Sequence, residues 1–214
     1  MGLASRPLRV LEIGAGYGQV AVQLFQQLTI ASYTICDLPE NLFLSAFYLQ
    51  ANFPDKKAVF VEDRSLSSGA PAELVFLAPP FLDRLAGPFD LVINSYSFQE
   101  MNLRSIEEYF SFVAATLAPD GVFYSLNAHR KAGAAWPSDY PFEKFRLSSV
   151  LPVRKYPFQV FATNPYEVVM TKLSGESPSV EACARSKRHL DALGGAMQLG
   201  LHDDLLELCR KFTL

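Results

Sequence analysis

Three glycines at two-residue spacing, Gly14, Gly16 and Gly18, interrupt the stretch Leu11–Gln19 (LEIGAGYGQ) between a short apolar run and a helical pattern. Glycine in such a turn lets the backbone take positive φ and lets a ligand approach with no Cβ in the way. The helix start that follows adds the positive end of a dipole. The GxGxG spacing differs from the GxGxxG of dinucleotide binders. Glu12 stands two residues before the first glycine, where dehydrogenases usually carry an apolar residue. A second acidic marker, Asp37, ends the next apolar run, 19 residues after Gly18. A carboxylate there can accept from both hydroxyls of a ribose and would repel a 2′-phosphate. Asp63, with Glu62 as its alternative, follows a third run and could accept from an adenine amino group.

These residues need strands and helices to hold them. Arg9–Ile13, Tyr33–Asp37, Ala58–Val61, Phe89–Asn94, Gly121–Leu126, Val153–Tyr156 and Tyr166–Leu173 read as strands, with Leu74–Leu77 as a short extra one. Between them Val20, Leu24, Phe25 and Leu28 mark one helix face, and Leu42, Ala46, Leu49 and Phe53 another, after Pro39 in its first turn. Ser105 and Glu108 fit a capping box ahead of a stripe at Ile106, Tyr109, Phe110, Val113, Ala114 and Leu117. This alternation predicts an α/β, Rossmann-like, doubly wound and mostly parallel sheet of seven strands with helices on both faces. Residues 1–173 read as one domain. Residues 174–214, with Leu201, Leu205, Leu208 and Phe212 in a final stripe, read as a helical C-terminal appendage.

Composition limits the function classes. Among 214 residues, 19 are Lys or Arg and 22 Asp or Glu, a net charge of −3, so a general nucleic-acid binder is not expected. Half the residues are hydrophobic, which excludes a disordered tail. No run of 18 apolar residues suggests a membrane span. The start, MGLASRPLRV, has neither a signal-peptide core nor, with Arg6, the myristoylation pattern. Cys36, Cys183 and Cys209 form no CxxC or metal spacing and read as thiols of a reducing cytoplasm. His129, His189 and His202 are equally scattered, so no metal is expected. The mean hydropathy of +0.12 suggests an apolar patch covered by a second subunit, through the 179–214 tail or another face.

Taken together, Glu12-x-Gly14-x-Gly16-x-Gly18, Asp37 after strand two, an acidic residue after strand three and FDLVINS resemble the class I S-adenosylmethionine-dependent methyltransferases over about residues 8–173. The strings LEIGAGYGQ, YTICDLPE, INSYSFQEM and NPYEVV more narrowly resemble a bacterial family of sugar O-methyltransferases. The resemblance implies a last strand antiparallel to the rest. It implies S-adenosylmethionine as cofactor, held by Glu12, Gly14, Ala15, Gly16, Gly18, Asp37, Leu38, Asp63, Asn94 and Ser95. It implies a small, sugar-like acceptor beside Tyr96 and Asn127. One departure is that only about eight residues precede the first strand, where members of the family carry a longer segment that helps cover the active site. Cover for the site is then expected from elsewhere, unless the chain is a fragment.

A sugar hydroxyl has a pKa far above 7, so its methylation calls for a general base. Ligands of open α/β sheets lie beyond the carboxyl ends of the strands. That points to Asn94, Ser95, Tyr96, Gln99, Glu100 and Asn102 after one strand and to Asn127 and His129 after the next. Glu100 and His129 are the two base candidates; Glu100 would need desolvation for that role. Trp136 could line a substrate cleft or anchor packing. Two other readings stand beside the enzyme. One is a non-catalytic module that holds the cofactor or a partner. The other is an NAD-dependent oxidoreductase, against which the glycine spacing and Glu12 both count.

Overall fold

The computed structural model describes residues 6–61, 72–128, 139–152 and 165–173. Strand β1 (Leu8–Ile13) is almost wholly buried, as a run of Leu, Val and Ile on both sides requires at the centre of a parallel sheet. The chain turns through the three glycines into α1 (Gln19–Gln27), then β2 (Ile30–Cys36). Helix α2 (Pro39–Asn52) opens on proline, whose fixed φ and missing N–H suit a first turn. Strands β3 (Ala58–Val61) and β4 (Leu74–Leu77) follow, and a 3-10 turn at Pro79–Arg84 leads to β5 (Phe89–Ser95). A short 3-10 turn, Phe98–Glu100, precedes α3 (Leu103–Thr116). Strands β6 (Leu117–Ala128), β7 (Phe145–Pro152) and β8 (Pro165–Lys172) complete the described elements.

The eight strands form one sheet in the order β3-β4-β2-β1-β5-β6-β8-β7. All neighbouring pairs from β3 to β6 are parallel, and β8 runs antiparallel to both β6 and β7. The sheet separates two cores. On one face α1 and α2 bury Leu24, Leu42 and Leu49 against Val10, Tyr33, Ile35 and Ile93. On the other, α3 buries Ile106, Phe110 and Val113 against Leu11, Val92 and Phe123. Phe98, Phe110, Phe123, Tyr140, Phe142 and Phe145 interlock there largely edge to face, the arrangement that aromatic quadrupoles favour.

Two expectations need correction, and two lie beyond the described residues. The sheet has eight strands among the described residues, because Leu74–Leu77 is a full member that lies between β2 and Ala58–Val61 and pairs with both. Phe145–Pro152 pairs with β8 as a strand that the sequence reading did not give, and the expected strand Val153–Tyr156 lies outside the described residues. The cap of α3 is Asn102, whose side chain accepts from the Ser105 N–H at 3.0 Å; Glu108 instead pairs with Arg104 one turn away. The 174–214 appendage also lies outside the described residues.

Candidate functional site

Because β1, β2, β4, β5 and β6 run parallel, Gly14, Asp37, Ala78, Tyr96 and the end of β6 all fall at one edge of the sheet. Gly14, Gly16 and Gly18 have φ of 74°, 57° and 90°, the left-handed region that favours glycine. The reasons for two of them differ. A Cβ on Gly14 would collide with the side chain of Ser97. A Cβ on Gly16 would meet nothing within 4 Å, so the space above that residue is open. The Gly16 N–H turns inward and donates to Asp37 Oδ2 at 2.8 Å.

Asp37 is buried, and its other oxygen accepts from the Leu38 N–H at 2.7 Å and Asn41 Nδ2 at 3.0 Å. A carboxylate has about four acceptor positions, so Oδ2 keeps one for a ligand hydroxyl. Asp37 therefore fixes the glycine turn, the start of α2 and one face of the open space at once. Leu38 is exposed beside it, a free apolar surface at the same edge. Cys36 is no nucleophile, since burial pushes its thiol up to about 12.

Glu12 lies within β1, two residues before Gly14. It is 1% exposed, in a row with Ile35 and Ile93 on the α1–α2 face, and accepts from the Tyr33 hydroxyl at 2.7 Å. Desolvation raises its pKa to about 7, against the Tyr33 hydrogen bond, and nearby Asp37 adds to the rise.

After β5 the polar residues bind one another. Asn94 Nδ2 donates to the Ile13 carbonyl at 3.0 Å and to Ser97 Oγ, while its Oδ1 accepts from Asn127 Nδ2 at 2.8 Å. Asn127 also donates to Ser125 Oγ at 3.0 Å and accepts from the Gln99 N–H at 3.2 Å. Both amides are buried with both N–H bonds used. They hold the loop rather than offer a donor to a ligand. Ser97 Oγ donates to the Ile13 carbonyl at 3.0 Å and so presses the loop onto Gly14. Tyr96 has φ 58°, the one non-glycine residue with positive φ among those described. Such strain concentrates where a site fixes a backbone.

The structure thus brings Gly14, Ala15, Gly16, Asp37, Leu38, Ser95 and Tyr96 to one edge, with Asn94 and Asn127 beneath as supports. Glu100 stands at the end of its 3-10 turn and is exposed, without the burial its role as base calls for. Asp63, Glu62, His129 and Trp136 lie outside the described residues. The strand beside β2 is β4, so the chain leaving the sheet next to Asp37 is Ala78-Pro79. Sequence reasoning missed Ser97 and Asn41. Asn41 had a signal in its spacing, one helical turn after Asp37. No cluster of His, Cys, Asp and Glu suited to a metal ion occurs among the described residues, nor a helix long and apolar enough to cross a membrane.

By sequence, no family model and no curated protein matches the chain. By structure it resembles solved methyltransferases. A chain in the complex of the Haloferax volcanii Trm112 methyltransferase activator with a methyltransferase superposes with a TM-score of 0.56 at 13% identity, covering 82% of this chain and 86% of that one. A TehB-like S-adenosylmethionine-dependent methyltransferase from Corynebacterium glutamicum gives 0.53 at 16%, covering 80% and 83%. The ribosomal protein L11 methylase of Lactobacillus delbrueckii subsp. bulgaricus gives 0.52 at 14%, covering 80% and 73%. The fold is that of the Rossmann-like methyltransferases: a mixed sheet, mostly parallel, with β8 reversed.

Proposed function

We propose that the chain binds S-adenosylmethionine at the edge formed by β1 and β2 and transfers its methyl group to a hydroxyl of a small, sugar-like acceptor. The observation that carries this reading is the open space over Gly16 beside the fixed carboxylate of Asp37. In this reading residues 1–173 are the catalytic unit, working in the cytoplasm, and 174–214 an appendage to it.

The residues fit the cofactor. The turn from Gly14 through Ala15 and Gly16 to Gly18 offers backbone without side chains where the methionine part would lie. Asp37 Oδ2 accepts a ribose hydroxyl with its remaining position, and Leu38 offers an apolar surface to the adenine. Asp63 or Glu62 takes the adenine amino group. Glu12 supports the turn from within the sheet. S-adenosylmethionine supplies a methyl group on a positive sulfur.

The protein's part is to orient the acceptor oxygen in line with that methyl, to keep water out and to take up the acceptor proton. Orientation of this kind contributes on the order of 7–11 kcal/mol. The loop of Ser95 and Tyr96, held by Asn94, Ser97 and Asn127, forms the acceptor side. Glu100 and His129 are the groups that would take the proton.

The test is calorimetric titration of wild type and Asp37→Ala with S-adenosylhomocysteine, followed by a methylation screen of methyl glycosides with labelled S-adenosylmethionine. The reading expects micromolar binding by wild type, weaker binding by the variant and label transferred to at least one glycoside. Equal affinity for both proteins would remove Asp37 from the site. Tight binding without transfer to any glycoside would favour the non-catalytic module.

A further inference from the structure

The string NPYEVV has no part in the site so far. It opens β8, and its Glu167 is a buried carboxylate, 3% exposed. Strand β8 runs antiparallel to β6, so its first residues lie at the carboxyl edge of the parallel strands. Register fixes the height of Glu167 at that edge. Ser95 pairs with Leu126, and Leu126 with Glu167. Glu167 is therefore level with Ser95, two strand spacings away, about 10 Å. Two further pairs, Asn127 with Tyr166 and Ala128 with Pro165, complete the ladder beyond it. Tyr96 donates its N–H to the Leu126 carbonyl at 2.7 Å. The acceptor loop and Glu167 thus flank one residue of β6.

They also share a face of the sheet. The Glu167 carboxylate accepts from the Tyr124 hydroxyl at 3.1 Å. Tyr124, Leu126 and Val169 belong to the core against which Tyr96 packs. Glu12, which accepts from Tyr33, stands deeper on that face, level with Ile93 and Tyr124. The row of Ser95 and Glu167 is two residues nearer the carboxyl edge, about 7 Å. Glu12 supports the sheet beneath the edge, and Glu167 stands at the height of the edge itself.

An apolar residue would be the cheaper occupant of a buried place in a strand. A carboxylate has a specific use there. Its two oxygens carry about four acceptor positions, so it can take two neighbouring hydroxyls together. Hydrogen bonds to a charged acceptor are about twice as strong as neutral ones. We propose that Glu167 holds the methyl acceptor through two adjacent hydroxyls, which makes the acceptor class a vicinal diol. The inference rests on the methyl-transfer reading above and adds to it the residue that selects the acceptor. Tyr124 is a positioning residue, whose hydroxyl keeps the carboxylate in place.

The test uses the methyl glycoside that wild type labels best and its analogue lacking the hydroxyl beside the methylated one. Wild type should show a KM for the deoxy analogue at least about 10-fold higher. Glu167→Gln keeps the shape and an acceptor for Tyr124. It should raise KM for the diol at least about 10-fold, with kcat changed less, and raise KM for the deoxy analogue far less. Its affinity for S-adenosylhomocysteine in the calorimeter should equal that of wild type. Tyr124→Phe covers a glutamine variant that fails to fold, and should raise KM for the diol but not for the deoxy analogue. Equal use of both glycosides by wild type, or equal effects of the variants on both, would overturn the proposal while methyl transfer stands. A wild type that labels no glycoside would overturn it together with the reading it rests on.

Discussion

Replacing Glu12 with glutamine should make the protein's stability less sensitive to pH, by an amount that the burial of this group sets. Glu12 sits in the sheet interior with the Tyr33 hydroxyl on it and Asp37 nearby, and its pKa rises from 4.5 to about 7. The folded chain therefore holds a proton that the unfolded chain has released between those values. Stability contributed by Glu12 is full below pH 4.5, falls as pH rises toward 7 and is constant above it. At 1.36 kcal/mol per pKa unit the whole loss is about 3 kcal/mol. Glutamine preserves the shape and an acceptor for Tyr33 but cannot ionise. The other buried carboxylates are the same in both proteins, so the difference between them isolates Glu12. Urea unfolding at pH 5, 6, 7 and 8 should show Glu12→Gln gaining on wild type by about 2 kcal/mol or slightly more from the lowest pH to the highest, since part of the loss is complete by pH 5. A difference that stays constant across that range would refute the reasoning and mean that Glu12 ionises as an ordinary carboxylate.

Other outcomes follow from single contacts. Gly14→Ala places a Cβ against Ser97 at positive φ, so it should cost about 2 kcal/mol or more in thermal or urea unfolding. Asn102→Ala should cost about 1 kcal/mol through loss of the α3 cap, whereas Ser105→Ala should stay within about 0.5 kcal/mol; equal losses would restore Ser105 as the cap. Glu100→Gln and His129→Ala separate the two base candidates. The variant that abolishes turnover while keeping S-adenosylhomocysteine affinity identifies the base, and one with normal turnover leaves the mechanism.

Much of the frame was legible because parallel strands buried on both faces read as mostly apolar runs, as LRVLEI does apart from Arg9 and Glu12 and FDLVINS in its Leu-Val-Ile centre. The glycine turn was legible because positive φ leaves few alternatives to glycine. The place of Leu74–Leu77 was not. Local pattern shows that a strand exists but not which neighbour it pairs with, and its insertion beside β2 separates Ala58–Val61 from that strand. The α3 cap was misread because Ser105–Glu108 and Asn102–Ser105 are both acceptable spacings, and only backbone geometry selects between them. The roles of Asn94 and Asn127 were hidden for a related reason. A polar residue at the end of a strand can face a ligand or another amide, and here each faces the other. Glu12 read as a ligand group from its place before the glycines. Its burial, and its hydrogen bond to Tyr33 on the neighbouring strand, could not be read from that place.

The central claim is that the Gly14–Gly18 turn and Asp37 form a site for S-adenosylmethionine. Titrating the full chain in a calorimeter with S-adenosylmethionine, S-adenosylhomocysteine and NAD tests it most directly. The account predicts micromolar binding of both sulfur compounds and none of NAD. Binding of NAD alone, or of none of the three, would contradict it.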